Sequence, residues 1–301
     1  MSAAAATVPG TRRRRRSGAR PGTESKGWVW TVVAWAVGLI FFFPVLYMVL
    51  TGFKTESAAV ELPPKLIFWP TLENYEAVFS INFGPFFVNS IIASLGSTVI
   101  VMALAIPCAY ALAKVRPPKW KNILFFFIST KFMPPAGIIV PIYVLYSKSG
   151  DPKMGGFGLN LLGTMRGLVI LYVAMNLPIA IWMLRSFFDE VPQDVIDAAR
   201  VDGAGIWREI FEIVLPMVAP GVAATVFLSI IFAWNEFFFA FNLTAAVSST
   251  VPIFMLRFVT SEGLFWAKLA ASSTMAVLPI VLLGWVAQKQ LVRGLSMGAV
   301  K

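Results

Sequence analysis

A chain of 301 residues that is 58% hydrophobic and only 13% charged is too oily for a soluble domain, in which about a quarter of residues are charged. The mean hydropathy of +0.76 and several apolar runs near the ~20 residues that cross a bilayer indicate an all-α integral membrane protein. Histidine is absent and Cys108 is the single cysteine, which excludes an intrachain disulfide and a cysteine-cluster metal site, and removes the commonest proton shuttle.

The net charge of +10 is concentrated near the start of the chain, where residues 12–16 are all arginine. Basic residues just before a hydrophobic segment anchor beside anionic headgroups on the cytosolic side. No folded nucleic-acid module accompanies the run, so membrane lipid and not nucleic acid is its expected partner. Residues 1–27, rich in Ala, Gly, Arg and Ser, read as a disordered basic cytosolic tail, followed by a membrane domain over 28–301. The run at 29–50 is longer than the apolar core of a signal peptide and no small-residue cleavage site follows it, so it reads as a first span.

Five further spans are predicted at about 88–112, 123–146, 167–184, 217–241 and 269–288. With the N-terminus inside, seventeen Lys and Arg residues fall on cytosolic segments and seven on external ones, Lys131 lying within a span. The positive-inside rule therefore predicts six spans with both termini cytosolic. The external segment 51–87 carries Pro63, Pro64, Pro70 and Pro85 and reads either as a cap that meets another protein or as a structured loop. Gly155, Gly156 and Gly158 lack a strand–helix context and a following Lys-Ser/Thr, so they form a turn and not a phosphate loop. No internal repeat is evident, unlike many secondary transporters.

Two ionisable residues fall inside the predicted spans, Lys131 and Glu236. Charges at membrane depth face a bundle interior or a cavity. Lys131 is placed ~13 Å above the inner boundary and Glu236 ~25 Å up its own span, a mismatch that disfavours a direct pair. Lys131 precedes Met133, Pro134 and Pro135, where missing N–H donors break the helix and free carbonyls. Two readings remain for it: satisfaction by those carbonyls, or lining a polar solute path with Asn176, Asn235 and Glu236. Ser94, Ser97 and Thr98 read as helix-packing residues.

The cytosolic loop 185–216 is the longest charged, helix-competent stretch. Val191, Pro192 and Asp194 open one helix, and Gly203 permits a change of direction. A second helix follows with Ile206, Trp207, Ile210, Phe211, Ile213 and Val214 on an apolar face, and Arg208, Glu209 and Glu212 opposite. Pro216 is expected to stop it. Taken alone, this is an amphipathic helix pair at a membrane surface. Its spacing is more specific: Asp197-Ala198-Ala199, three residues, Gly203, nine residues, Ile213, one residue, then Leu215-Pro216.

That spacing resembles the Glu-Ala-Ala loop of ABC-importer permeases, with Asp197 in place of the usual Glu. Asn89-Ser90, Met133-Pro134, Pro141, Trp234-Asn235-Glu236 and the terminal segment from Arg293 to Lys301 resemble the carbohydrate-uptake, maltose-type branch. Lys131 beside Pro134-Pro135 is similar to polyol permeases. The resemblance implies the ABC-importer permease fold in a bacterial cytoplasmic membrane. It also implies a non-catalytic subunit that carries no cofactor, ATP being bound by a separate ATPase dimer docked at the loop through Asp197, Ala198, Ala199, Gly203, Ile213, Leu215 and Pro216. A second permease, giving a heterodimer, and an extracellular solute-binding protein complete the implied assembly, with a sugar or polyol as solute. Other readings are a permease for another small polar solute such as a phosphodiester or peptide, a stand-alone channel, or an integral-membrane enzyme, for which the spans lack a His or carboxylate cluster.

Overall fold

The computed structural model describes residues 24–147, 159–261 and 263–297, so the basic run at 12–16, the glycines at 155–158 and the last residues of the terminal motif lie outside the described residues. The chain divides into a short unit ending at Tyr47 and a second beginning at Met48. The first is most of α1 (Glu24–Gly52), whose apolar stretch Gly27–Gly52 is long enough to cross a membrane.

In the second unit the segment between α1 and the next long helix holds two short helices, α2 (Glu56–Ala59) and α3 (Glu73–Ser80). It is tied down by Asn74, whose Nδ2 donates to the carbonyls of Gly52 at 3.0 Å and Lys54 at 2.6 Å. The first of the two long inner helices is α4 (Phe83–Tyr110), prolonged by a π turn over Ala111–Val115. It starts five residues before the predicted 88. Asn89 and Ser90 pin the loop at 247–251 to this helix. Asn89 Nδ2 donates to the carbonyls of Val247 and Ser249 at 2.9 and 3.0 Å, and Ser90 Oγ accepts from the N–H of Val251 at 2.9 Å.

The run at 123–146 is not one rod. It is α5 (Trp120–Ser129) with a 3-10 turn over Thr130–Phe132, then α6 (Pro135–Tyr146), the halves meeting at 96°. Pro134 and Pro135 cannot donate to the preceding turn, and the residue before a proline is pushed to extended backbone, as Met133 is at φ −69, ψ 120.

Helix α7 (Met165–Asp189) packs along α4 and exceeds the predicted 167–184 at both ends. The loop that follows is α8 (Gln193–Val201), a turn through Gly203, then α9 (Ile206–Arg208), a π turn Glu209–Val214 and α10 (Leu215–Met217). Pro216 does not end this second helix. It lies in the first turn of α10, where a missing N–H is tolerated, and the chain turns instead at Val218, meeting α11 (Ala219–Trp234) at 87°.

The predicted span 217–241 is therefore interrupted. Helix α11 stops at Trp234, and α12 (Phe238–Leu243) restarts after Glu236. A short α13 (Val251–Met255), a β-hairpin of two-residue strands β1 (Val259–Thr260) and β2 (Gly263–Leu264), and α14 (Trp266–Met297) follow. Among the described residues, four helices are long and apolar enough to cross a membrane, and two bent pairs pass the same test when each pair is taken together.

Helices α4, α7 and α11 pack against one another, and α14 packs along α11, through small residues. Ala93, Ser94, Ser97, Thr225, Ser229, Ala271 and Ser272 are all buried, which lets backbones approach where lipid supplies no hydrophobic drive. Ser94 and Ser97 satisfy their hydroxyls on their own helix, donating to Ser90 and Ser94 carbonyls at 2.7 and 3.2 Å.

Candidate functional site

The loop from α8 to α10 is built into the helix bundle. Ile196, Ile210 and Val214 are buried in one apolar cluster with Leu112 of the π turn after α4 and with Leu184 and Phe188 of α7. The Nζ of Lys114 donates to the Val191 carbonyl at 2.6 Å, fastening the end of that turn to the entrance of α8.

The motif residues divide between an outer and an inner side. Asp197 and Ala198 are exposed, whereas Ala199 is buried and its carbonyl accepts the N–H of Ala204 at 2.9 Å. Of the two alanines expected at the docking surface, Ala198 is thus exposed and Ala199 is not. Gly203 has φ +82 and open space around it, so the glycine is required by the backbone turn and not by crowding. Ile213 and Leu215 are half-buried and Pro216 is exposed. A groove of about 400 Å³ runs between the two helices, and its lining includes Ala198, Ala199, Asp202, Arg208, Glu212 and Ile213.

The expected apolar face of the second helix also divides. Ile210 and Val214 point into the cluster, while Trp207 and Phe211 stack on each other at 6.0 Å and are exposed. Glu209, expected on the polar face, is 3% exposed. Its carboxylate accepts Arg200 Nε at 2.8 Å and Nη2 at 3.2 Å, and the hydroxyl of Tyr110 on α4. The donating Arg200 guanidinium holds the Glu209 carboxyl below the usual carboxylate range, against the upward push of burial. Sequence reasoning missed this cluster because Tyr110 lies 99 residues from Glu209.

The four residues expected on a solute path do not converge. Lys131 lines a cavity of about 280 Å³ with Thr130, Met133, Leu171, Met175 and Phe239. Its Nζ donates to the Met175 carbonyl at 2.9 Å, three residues before Pro178 on α7. Asn176 is buried and returns its Nδ2 to the Tyr172 carbonyl at 3.1 Å. Asn235 is exposed and donates to Ile231 at 2.9 Å. Glu236 restarts the chain after the interruption: its carboxylate accepts the N–H groups of Phe239 and Ala240 at 2.8 and 3.0 Å and the Tyr172 hydroxyl at 3.1 Å, serving the first donors of α12 as a helix cap does. Lys131 and Glu236 thus each have their own partners and form no pair.

The pattern of the family described as binding-protein-dependent transport system inner membrane component matches residues 105–296, which include the whole α8–α10 loop. The chain belongs to this family. Among its relatives, the "Probable ABC transporter permease protein y4oR" of Sinorhizobium fredii is 36% identical over 274 residues, covering 91% of this chain and 95% of that protein. The "Diacetylchitobiose uptake system permease protein NgcG" of Streptomyces coelicolor is 30% identical over 271 residues, covering 89% and 86% of the two chains. A solved chain of a bacterial ABC transporter involved in the import of the acidic polysaccharide alginate superposes with a TM-score of 0.69 at 21% identity, covering 89% of this chain and 98% of its own. This inner membrane component thus shares its helical architecture with a transporter chain of known structure.

Proposed function

We propose that this chain is one permease subunit of an ATP-driven importer that takes up a sugar or polyol delivered by an extracellular solute-binding protein. The observation that carries the reading is the α8–α10 loop. It presents Asp197 and Ala198 outward at the head of a turn that requires Gly203, on a base packed into the inner ends of α4 and α7. A small, exposed, rigidly based helix end suits insertion into a cleft of a separate ATPase dimer, which would bind the ATP and perform all the hydrolysis. The permease itself needs no cofactor.

In this reading α1, α4, the bent pair α5–α6, α7, α11 with α12, and α14 are the six spans, and both termini are cytosolic. A second, non-identical permease completes the path. The sugar or polyol assignment is supported by the diacetylchitobiose uptake relative. The path is assigned to the cavity at the α5–α6 break. There a Lys131 ammonium held by one carbonyl keeps further N–H donors for solute hydroxyls.

The test is reconstitution. The chain is co-expressed with the ATPase, second permease and binding protein encoded beside it, and uptake into proteoliposomes is measured with a panel of sugars, polyols, phosphodiesters and peptides. ATP-dependent uptake of a sugar or polyol supports the proposal. Uptake restricted to phosphodiesters or peptides overturns the solute class, and uptake without ATP or ATPase overturns the importer reading.

A further inference from the structure

Tyr110, Arg200 and Glu209 belong to three different elements that share one ion. Tyr110 is the last residue of α4 and is 1% exposed; Arg200 stands on α8, beside the outward-facing Asp197-Ala198; Glu209 opens the π turn that leads back toward α11. The guanidinium grips the carboxylate through two N–H groups, at 2.8 and 3.2 Å, and the Tyr110 hydroxyl donates to the same Oε2.

A buried carboxylate is a poor way to gain stability alone, because apolar residues of similar volume often do as well. What a forked guanidinium–carboxylate pair adds is a fixed angle between its two carriers. Here the carriers are the helix that presents the docking surface and the helix that returns to the membrane, and the hydroxyl extends the same bond to the inner end of a span. The apolar cluster around Ile196, Ile210 and Val214 resists compression but specifies rotation about the α8 axis only weakly.

We propose that Glu209 is a positioning residue for coupling: through Arg200 and Tyr110 it makes the outward-facing end of α8 and the inner end of α4 turn as one body, so that displacement of the loop reaches the spans. The inference rests on the permease reading above and names the link by which the loop acts on the membrane part.

The test uses the full reconstituted complex and reads solute taken up per ATP hydrolysed, together with the yield of assembled complex. Glu209→Gln keeps the shape and removes the charge, and Tyr110→Phe removes only the hydroxyl. Both are expected to assemble with the ATPase yet to lower the uptake-to-hydrolysis ratio, roughly tenfold for Glu209→Gln and less for Tyr110→Phe, on the scale of one charge-assisted hydrogen bond. The double variant should be no worse than Glu209→Gln, because the two act through one carboxylate. An unchanged ratio in assembled variants overturns the inference. So does loss of assembled complex in both, which would make the cluster a folding element only. A wild-type chain that assembles with no ATPase refutes the permease reading itself, and this inference with it.

Discussion

Gly221 of α11 rests on the ring face of Phe187 of α7, so a Cβ at this position would meet Cγ and both Cδ atoms of the ring. The ring occupies the space that a side chain at 221 would need. Gly221→Ala should overpack the contact at a cost of about 1–3 kcal/mol, lowering the melting midpoint of the detergent-purified chain. Adding Phe187→Leu should restore part of the loss. A Gly221→Ala protein that melts with the wild type would show that the ring yields without cost.

Gly203 presents the opposite case. Nothing lies within 4 Å of where its Cβ would be, but its φ is +82. The cost of a side chain is therefore one of backbone conformation alone. Gly203→Val should distort the turn at about 1–3 kcal/mol and abolish uptake with the protein still inserted, whereas Gly203→Asn, which tolerates this region, should retain most activity. Ala198→Trp should block ATPase co-purification by bulk at an exposed position. Full uptake in both Gly203→Val and Ala198→Trp would detach the loop from coupling.

Lys131 is the ionisable residue that lines the cavity at the α5–α6 break. Lys131→Met preserves length and removes the donor, so uptake should fall or solute preference shift while the yield of assembled complex stays at the wild-type level. Normal uptake and preference in an assembled Lys131→Met complex would leave the ammonium with only the Met175 carbonyl to serve.

Glu209 carries a pH dependence of definite sign. Its carboxyl titrates lower in the folded chain than in the unfolded one, because Arg200 donates to the ionised form. The stabilisation is therefore complete above the unfolded glutamate value, about 4.3, and is lost as pH falls through the lower folded value. Between pH 6 and 3 the melting midpoint of the wild type should fall more steeply than that of Glu209→Gln. Parallel curves would mean that the carboxylate contributes nothing to folding.

What was legible in the sequence follows from how local each signal is. Hydropathy and length located α1, α4, α7 and α14, because a lipid-crossing helix needs only its own residues to be recognised. The Pro134-Pro135 pair marked the α5–α6 break at the right place but not its 96° size, which depends on packing against α7. The face assignment after Gly203 failed because the π turn over Glu209–Val214 is wider than an α turn and shifts the phase of every residue beyond it. Glu209 itself stands at the start of that turn, and its placement with Arg208 and Glu212 on an outward face failed because the partners that hold it inward, Arg200 and Tyr110, lie 9 and 99 residues away. The interruption after Trp234 was hidden for another reason: Asn235 and Glu236 sit in an apolar run, and only the contacts of the Glu236 carboxylate with the N–H groups of Phe239 and Ala240 disclose a restart.

Adjacent Ala198 and Ala199, one exposed and the other 8% exposed, answer to different selective pressures. A larger residue at 199 meets its own chain first, so relatives that keep the loop are expected to carry only small residues there. In the proposed docking, a change at 198 is penalised through the receiver of α8, and a compensating change in the receiver can accept it. Among descendants of one ancestral transporter, 198 should therefore drift in step with a second gene while 199 stands still. Which permease pairs with which receiver is then recorded at 198 and not at its neighbour.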